Sequence, residues 1–151
     1  MYLIKNYKLG LNLNLLNNMG LVSKQNEFLT HVALLILQAQ DMGFEVTGGD
    51  LYRANELQLV YFHGKQVIEQ DNSIVLKDRS RRSKTMNSKH LKRLAIDLNF
   101  FKNGVYINGL DKIIVKKHLQ PIGDYWKSLH PDNEWGGNWK SFFDSPHFER
   151  K

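Results

Sequence analysis

Apolar residues recur at helical spacing early in the chain. Phe28, Leu29, Val32, Leu35, Ile36 and Ala39 share one side of a helix of 3.6 residues per turn. Ser23 is the expected N-cap of this helix, which is predicted to run to about Met42 and stop at Gly43. Leu34 and Leu37 widen its apolar surface, so it is expected to be largely buried. Phe44 and Val46 alternate with polar neighbours and predict a short strand, followed by a turn at Thr47-Gly48-Gly49-Asp50. A second helix is predicted over Leu51 to Phe62, with Leu57, Val60 and Tyr61 facing inward. The stretch from Gly64 to about Lys89 is polar and reads as a solvated basic loop, with one short strand at Ile74-Val75-Leu76.

Periodicity then switches from helical to alternating. Leu94, Ile96, Leu98 and Phe100 alternate with Ala95, Asp97 and Asn99, which predicts a strand with Asp97 on its less apolar face. Asn103-Gly104 and Asn108-Gly109 are turn signals, and Val105-Tyr106-Ile107 between them fits a short hairpin strand. Asp111 can cap a helix carrying Ile114, Val115 and Leu119. Pro121 is expected to kink or restart it before Ile122, Tyr125, Trp126 and Leu129. Helices and short strands in mixed order, without regular βαβ alternation, give the fold class α+β: a small antiparallel sheet flanked by helices. No linker or composition break divides the chain. The expectation is one domain over residues 23–151, preceded by a loosely ordered extension over 1–22. The asparagines at 12, 14, 17 and 18 interrupt the leucines there, which argues against a signal peptide, and Met19 is a second candidate start. Synthesis in the cytoplasm is expected.

Composition narrows the function. At 151 residues and 42% hydrophobic, the chain can bury a core without staples. No apolar run reaches the roughly 20 residues of a membrane span, so membrane insertion is not expected. The absence of cysteine excludes disulfides, Cys-rich zinc sites and thiol nucleophiles, so any metal must be held by His, Asp or Glu. The net charge of +6 favours anionic partners without choosing among nucleic acid, lipid and wall polymers.

Four residues could carry chemistry together. His90 and Asp97 lie seven residues apart, and Asp144 and His147 three apart. Two imidazoles and a carboxylate make a three-ligand zinc set with a fourth position for water, whose proton a second carboxylate could take. Pro146 keeps Ser145 out of the α region, so this is not a helical HExxH site. Spacing alone leaves His90 as a polar loop residue, His147 as a surface histidine and Asp144 as a turn aspartate. His31, His63, His118 and His130 read as structural or solvated.

A family resemblance adds to this. Ser88, His90, Ala95 and Asp97 match the pattern S-x-H-x-x-G-x-A-x-D of the M15 zinc peptidases. That family includes D-alanyl-D-alanine carboxypeptidases and phage endolysins that cut the L-alanyl-D-glutamate bond. Trp135-Gly136-Gly137-Asn138-Trp139, then Asp144-Ser145-Pro146-His147-Phe148-Glu149, resembles the closing W-G-G-x-W … D-x-P-H-F-E segment of the endolysin-like branch. Gly49-Asp50-Leu51-Tyr52-Arg53 resembles the family's arginine-bearing segment. The likeness covers about residues 23 to 149. One departure is Arg93, where the family has a glycine; a glycine there suggests tight backbone packing, so Arg93 implies a different local turn.

The resemblance implies a Hedgehog/DD-peptidase-like fold, with Zn²⁺ on His90, Asp97 and His147. Asp144 is implied as the general base, and Arg53 as the residue that binds a substrate carboxylate or steadies the oxyanion. Ser88 and Trp139 are implied as substrate contacts. Trp135 and Trp139 either line a groove or are buried. The implied function is hydrolysis of a stem-peptide amide of peptidoglycan, L-Ala–D-Glu first, by a monomeric phage lysis enzyme. Such an enzyme would reach the periplasm and cell wall after a holin opens the membrane. The alternatives are a D-Ala–D-Ala carboxypeptidase or dipeptidase, a non-catalytic basic wall- or nucleic-acid-binding protein, and a virion-associated protein that keeps the fold. On the enzymatic reading no nucleic acid is expected as a partner.

Overall fold

The computed structural model describes residues 20–151; the expected extension and the second candidate start lie, up to residue 19, outside the described residues. Helix α1 spans Leu21–Asp41. Phe28, Val32, Leu35 and Ala39 form its fully buried stripe. The helix is amphipathic rather than largely buried: Leu29 and Leu37 are about half exposed, because they point away from the sheet. Gly20, not Ser23, is the N-cap, and no side chain caps this end. The predicted stop holds. Gly43 takes φ +81°, a left-handed conformation that costs glycine little, and the chain turns there into strand β1.

Strand β1 (Glu45–Gly48) runs on into the first half of the predicted Thr47-Gly48-Gly49-Asp50 turn, since Thr47 pairs with Asn99 and Gly48 with Leu98. Helix α2 is shorter than predicted, Asn55–Phe62. Residues before it stay extended because their backbone serves the site: Asp97 N–H donates to Asp50 O. The inward residue of α2 is Gln58, fully buried, whereas Leu57 faces solvent. The predicted solvated loop is instead, over its first half, a hairpin of β2 (Lys65–Gln70) and β3 (Ser73–Asp78) in six-residue register. Asp71 and Asn72 both have positive φ, at 52° and 57°, which closes the two-residue turn that matches strand twist.

Strand β4 is Ala95–Lys102, β5 Val105–Tyr106, β6 Asn133–Trp135 and β7 His147–Arg150. The central sheet has the order β1-β4-β7-β6, all antiparallel, with β5 also pairing β4. Alternation along β4 sends Ile96, Leu98 and Phe100 into the core and Asp97 and Asn99 to the opposite face. Helix α3 (Lys112–Leu129) starts where predicted, with Asp111 Oδ1 accepting from Ile113 N–H at 2.8 Å. It runs unbroken through Pro121, which lies on the exposed side.

Helices α1 and α3 pack on the apolar face of the sheet. Val115, Leu119, Ile122 and Trp126 of α3 meet Phe28 of α1, Phe100 of β4 and Phe148 of β7. Gly123 leaves room for the Trp135 ring, which a Cβ there would strike. Trp126 is fully buried, edge-on to Phe28 at 5.6 Å and to Phe148 at 6.0 Å. Its Nε1–H donates to Glu134 O at 3.1 Å and Glu149 O at 3.3 Å, tying α3 to two strands at once. Trp126→Ala is expected to cost about 3–5 kcal/mol of folding stability, the usual range for deleting a buried tryptophan. Urea denaturation would read this directly, and a loss below about 1 kcal/mol would contradict it.

A polar cluster anchors the end of β7. Arg150 donates from Nε to Asn133 Oδ1 at 3.0 Å and pairs with Glu27, while its Nη2 meets His31 Nδ1 at 2.6 Å. His31 therefore accepts and is held neutral. Its pKa lies below 6.5 because of burial first and the Arg150 charge second, with Glu27 opposing. His130, beside it, is lowered by the same two causes. A histidine whose folded pKa is depressed binds fewer protons folded than unfolded, so its contribution is complete above 6.5 and is lost as pH falls below that value. Urea midpoints taken at about pH 7.5 and about pH 5.5 are thus expected to fall more steeply in the parent chain than in a His31→Gln variant. Equal slopes would remove the role assigned to His31.

Candidate active site

Four elements converge on the polar face of the sheet. His90 lies in a short 3-10 turn, Lys89–Lys92, and is nearly fully buried. Arg93 closes this turn with φ 53° and ψ 38°, in the left-handed region, and its N–H donates to His90 O. This corrects the reading of tight packing at that position: the backbone there needs positive φ. An arginine adopts it at a cost of roughly 1–2 kcal/mol. Its guanidinium stacks 4.1 Å over the Tyr52 ring.

Asp97 and His147 are direct cross-strand partners in the β4–β7 register. Opposed residues of an antiparallel pair project to the same face, so the ladder itself places carboxylate beside imidazole. The segment before β7 is fixed by close approach. Asp144 N–H donates to Gly136 O, His147 N–H donates to Asp144 O, and a Cβ on Gly136 would lie 3.1 Å from the Cβ atoms of both Asp144 and His147.

The three predicted ligand atoms form a near-equilateral triangle. His90 Nε2 is 3.3 Å from His147 Nδ1 and 3.4 Å from Asp97 Oδ1, and His147 Nδ1 is 3.2 Å from Asp97 Oδ1. Ligand atoms bound tetrahedrally at zinc's usual 2.0–2.1 Å stand roughly 3.3–3.4 Å apart. The donor set and its spacing therefore fit a small divalent cation, and among the described residues this is the His/Asp/Glu group close enough to hold one. On the far side of the His147 ring, Nε2–H donates to Glu149 Oε2 at 2.9 Å, which fixes Nδ1 as the free ligand atom. His90 Nδ1 is buried without a protein partner.

Electrostatics follow from the same contacts. Burial alone would raise the Asp97 pKa, but hydrogen bonds and charge from His147 and His90 outweigh it and hold the carboxyl well below its ordinary range. Burial alone would lower His147, but hydrogen bonds to Asp97 and Glu149 win and lift it to about 9. Asp144 is pushed up, by burial first; His147 pulls against this and Asp97 adds to it. A carboxylate raised in this way is a better base near neutral pH.

Arg53 is buried and committed. Its Nε and Nη2 donate to Asp50 Oδ2 at 3.1 and 3.0 Å, its Nη1 donates to Gln58 Oε1 at 3.1 Å, and Nη2 stands 3.7 Å from Asp97 Oδ2. Ser88 is buried on the cleft wall. The two tryptophans separate: Trp139 lines the cleft, its ring centroid 5.0 Å from that of His147, while Trp135 is buried in the core with its Nε1–H on Ser145 O. The cleft holding all these groups has a volume of about 740 Å³. Sequence reasoning missed Glu149, Gln58 and Asp50 as site residues. Glu149 carried a legible signal, since it stands two positions after His147 on a strand and so shares its face.

Residues 81–150 match the M15 peptidase family model described as D-alanyl-D-alanine carboxypeptidase. That segment contains His90, Asp97, Asp144 and His147, but not Arg53. Among solved structures, the chain resembles a Serratia marcescens L-Ala D-Glu endopeptidase, ChiX, with a TM-score of 0.54. The two are 19% identical, over 78% of this chain and 75% of that one. No curated protein matches the chain.

Proposed function

We propose, from the match of residues 81–150 to the M15 peptidase family model and the likeness of fold to an L-Ala D-Glu endopeptidase, that this chain is a zinc-dependent peptidase of the peptidoglycan stem peptide, cutting L-Ala–D-Glu. The observation that carries this is the triangle of His90 Nε2, Asp97 Oδ1 and His147 Nδ1, with the raised Asp144 carboxyl against it. A zinc ion on those three atoms would supply Lewis acidity toward a carbonyl and toward water. The residues of the chain do the rest. Asp144 takes the proton of the attacking water and returns it to the departing amine. Arg53, held by Asp50 and Gln58, presents fixed positive charge beside Asp97, where an oxyanion would develop. Trp139 offers a wall for the peptide.

The choice of bond follows the activity named for the Serratia protein, and the family description favours a second reading, release of terminal D-alanine. Among the described residues no helix is long and apolar enough to cross a membrane. The net positive charge and the sequence likeness to endolysins support action on the wall as a phage lysis enzyme; the proposal takes it to be a monomer that reaches the wall after a holin opens the membrane.

Mass spectrometry of purified muropeptides, digested with and without chelator, tests the proposal. The expected result is a new N-terminal D-Glu product that disappears with EDTA and returns with zinc. Released D-alanine would select the second reading. Hydrolysis indifferent to chelation would overturn metal dependence, and no hydrolysis at all would leave a binding role.

A further inference from the structure

The half of the basic loop beyond the β2–β3 hairpin is a built wall. Gln58, fully buried on α2, donates from Nε2 to Ser83 Oγ at 2.7 Å and also to Thr85 O, while its Oε1 accepts from Arg53. Ser83 is thereby turned inward and buried, and its neighbours Arg82 and Lys84 alternate outward on the cleft. Both are held by aromatic rings. The Arg82 guanidinium lies 4.4 Å over Tyr61 and donates to its hydroxyl at 3.2 Å. Lys84 Nζ lies 4.7 Å from the Phe142 centroid and donates to Ser141 O at 3.3 Å.

Neither has a carboxylate partner among the described residues, while every acid lining the same cleft sits with the ligand triangle, Asp50, Asp97, Asp144 and Glu149. The two ends are close. The Tyr61 ring beneath Arg82 also carries Arg53 at 4.9 Å, and Arg53 is 3.7 Å from Asp97. Arg53 itself has its guanidinium engaged on three sides, so it is poorly placed to clamp a second carboxylate.

We propose that Arg82 and Lys84 form a subsite for a carboxylate of the substrate peptide, one phenol ring away from the reacting centre, and so set the enzyme's preference for an acidic residue beside the scissile amide. This rests on the stem-peptide reading above, in which the D-glutamate carboxylate adjoins the cut bond. A guanidinium pre-aligned over an aromatic ring, with Nη1 on the Tyr61 hydroxyl, keeps its remaining N–H groups for a planar carboxylate at little entropic cost, and the charge-assisted bonds so made are the stronger kind.

The test is steady-state kinetics on two muropeptides that differ only at the second stem residue, D-glutamate in one and D-isoglutamine in the other. The parent enzyme is expected to favour the carboxylate form by about tenfold or more in kcat/KM, mostly through KM. In an Arg82→Gln, Lys84→Gln double variant the preference should fall to near unity, and an Arg82→Lys variant that keeps Lys84 should retain part of it. Each ratio is taken within one protein, so loss of folded enzyme cancels. Equal rates for the parent on the two substrates, or an undiminished preference in the double variant, would overturn the subsite while leaving the peptidase intact. Cleavage of neither substrate would overturn both readings together.

Discussion

Replacing His147 by alanine is expected to abolish zinc retention and hydrolysis together. On the zinc reading the imidazole would supply one of three ligand atoms, and Glu149, the acid bonded to the same ring, meets its far nitrogen. Removal leaves Asp97 and His90 as a two-point site, with the Asp97 charge less compensated. Losing a partner of a ligand costs roughly 10–100-fold in metal affinity or activity, so losing the ligand itself should exceed that. His90→Ala should behave alike, since its Nε2 closes the other two sides of the triangle. Metal analysis of the dialysed variants, beside muropeptide hydrolysis, checks this. A His147→Ala protein that keeps one equivalent of zinc and normal turnover would dissolve the site. The fold should survive, because the ring faces the cleft while the adjacent Phe148 carries the packing of β7.

Asp144→Asn is the complementary case: metal kept, rate lost. Asp144 is not a corner of the ligand triangle. The amide keeps the shape of the side chain, and the backbone bonds that fix the segment, from Asp144 N–H to Gly136 O and from His147 N–H to Asp144 O, do not involve the carboxyl group. What disappears is the group whose pKa burial raises. The turnover rate is expected to drop by about 10²–10⁴, the range of a positioned general acid–base, with zinc content unchanged. The acidic limb of the rate profile should go with it. A variant with normal turnover would overturn the role, and one that also lost its metal would move Asp144 among the ligands.

Some of this was legible along the chain because local rules decide it. The period-two run through Leu98 and Phe100 could only be a strand with Asp97 on its polar side, and Asp111 caps α3 as its side-chain chemistry requires. The four chemical residues were readable because their spacing and neighbours match a family pattern. The β2–β3 hairpin is hidden in the sequence because the Asp71-Asn72 turn signal sits within a run of charge that resembles a solvated loop. Burial on α1 is less than its leucines suggest, since a leucine count cannot tell which side of a helix meets a sheet.

The sequence by itself determined the donor types, the strand that carries Asp97 and the proline that keeps Asp144 and His147 off a helix. Tertiary structure alone decided that Asp97 and His147 stand opposite each other, because strand register is a non-local pairing that no short window encodes. It also decided which tryptophan faces the cleft. Gln58 is the sharpest instance: an ordinary helical residue in the sequence, it becomes the buried link between Arg53 and the Ser83 segment only when chain 25 residues away folds back onto it.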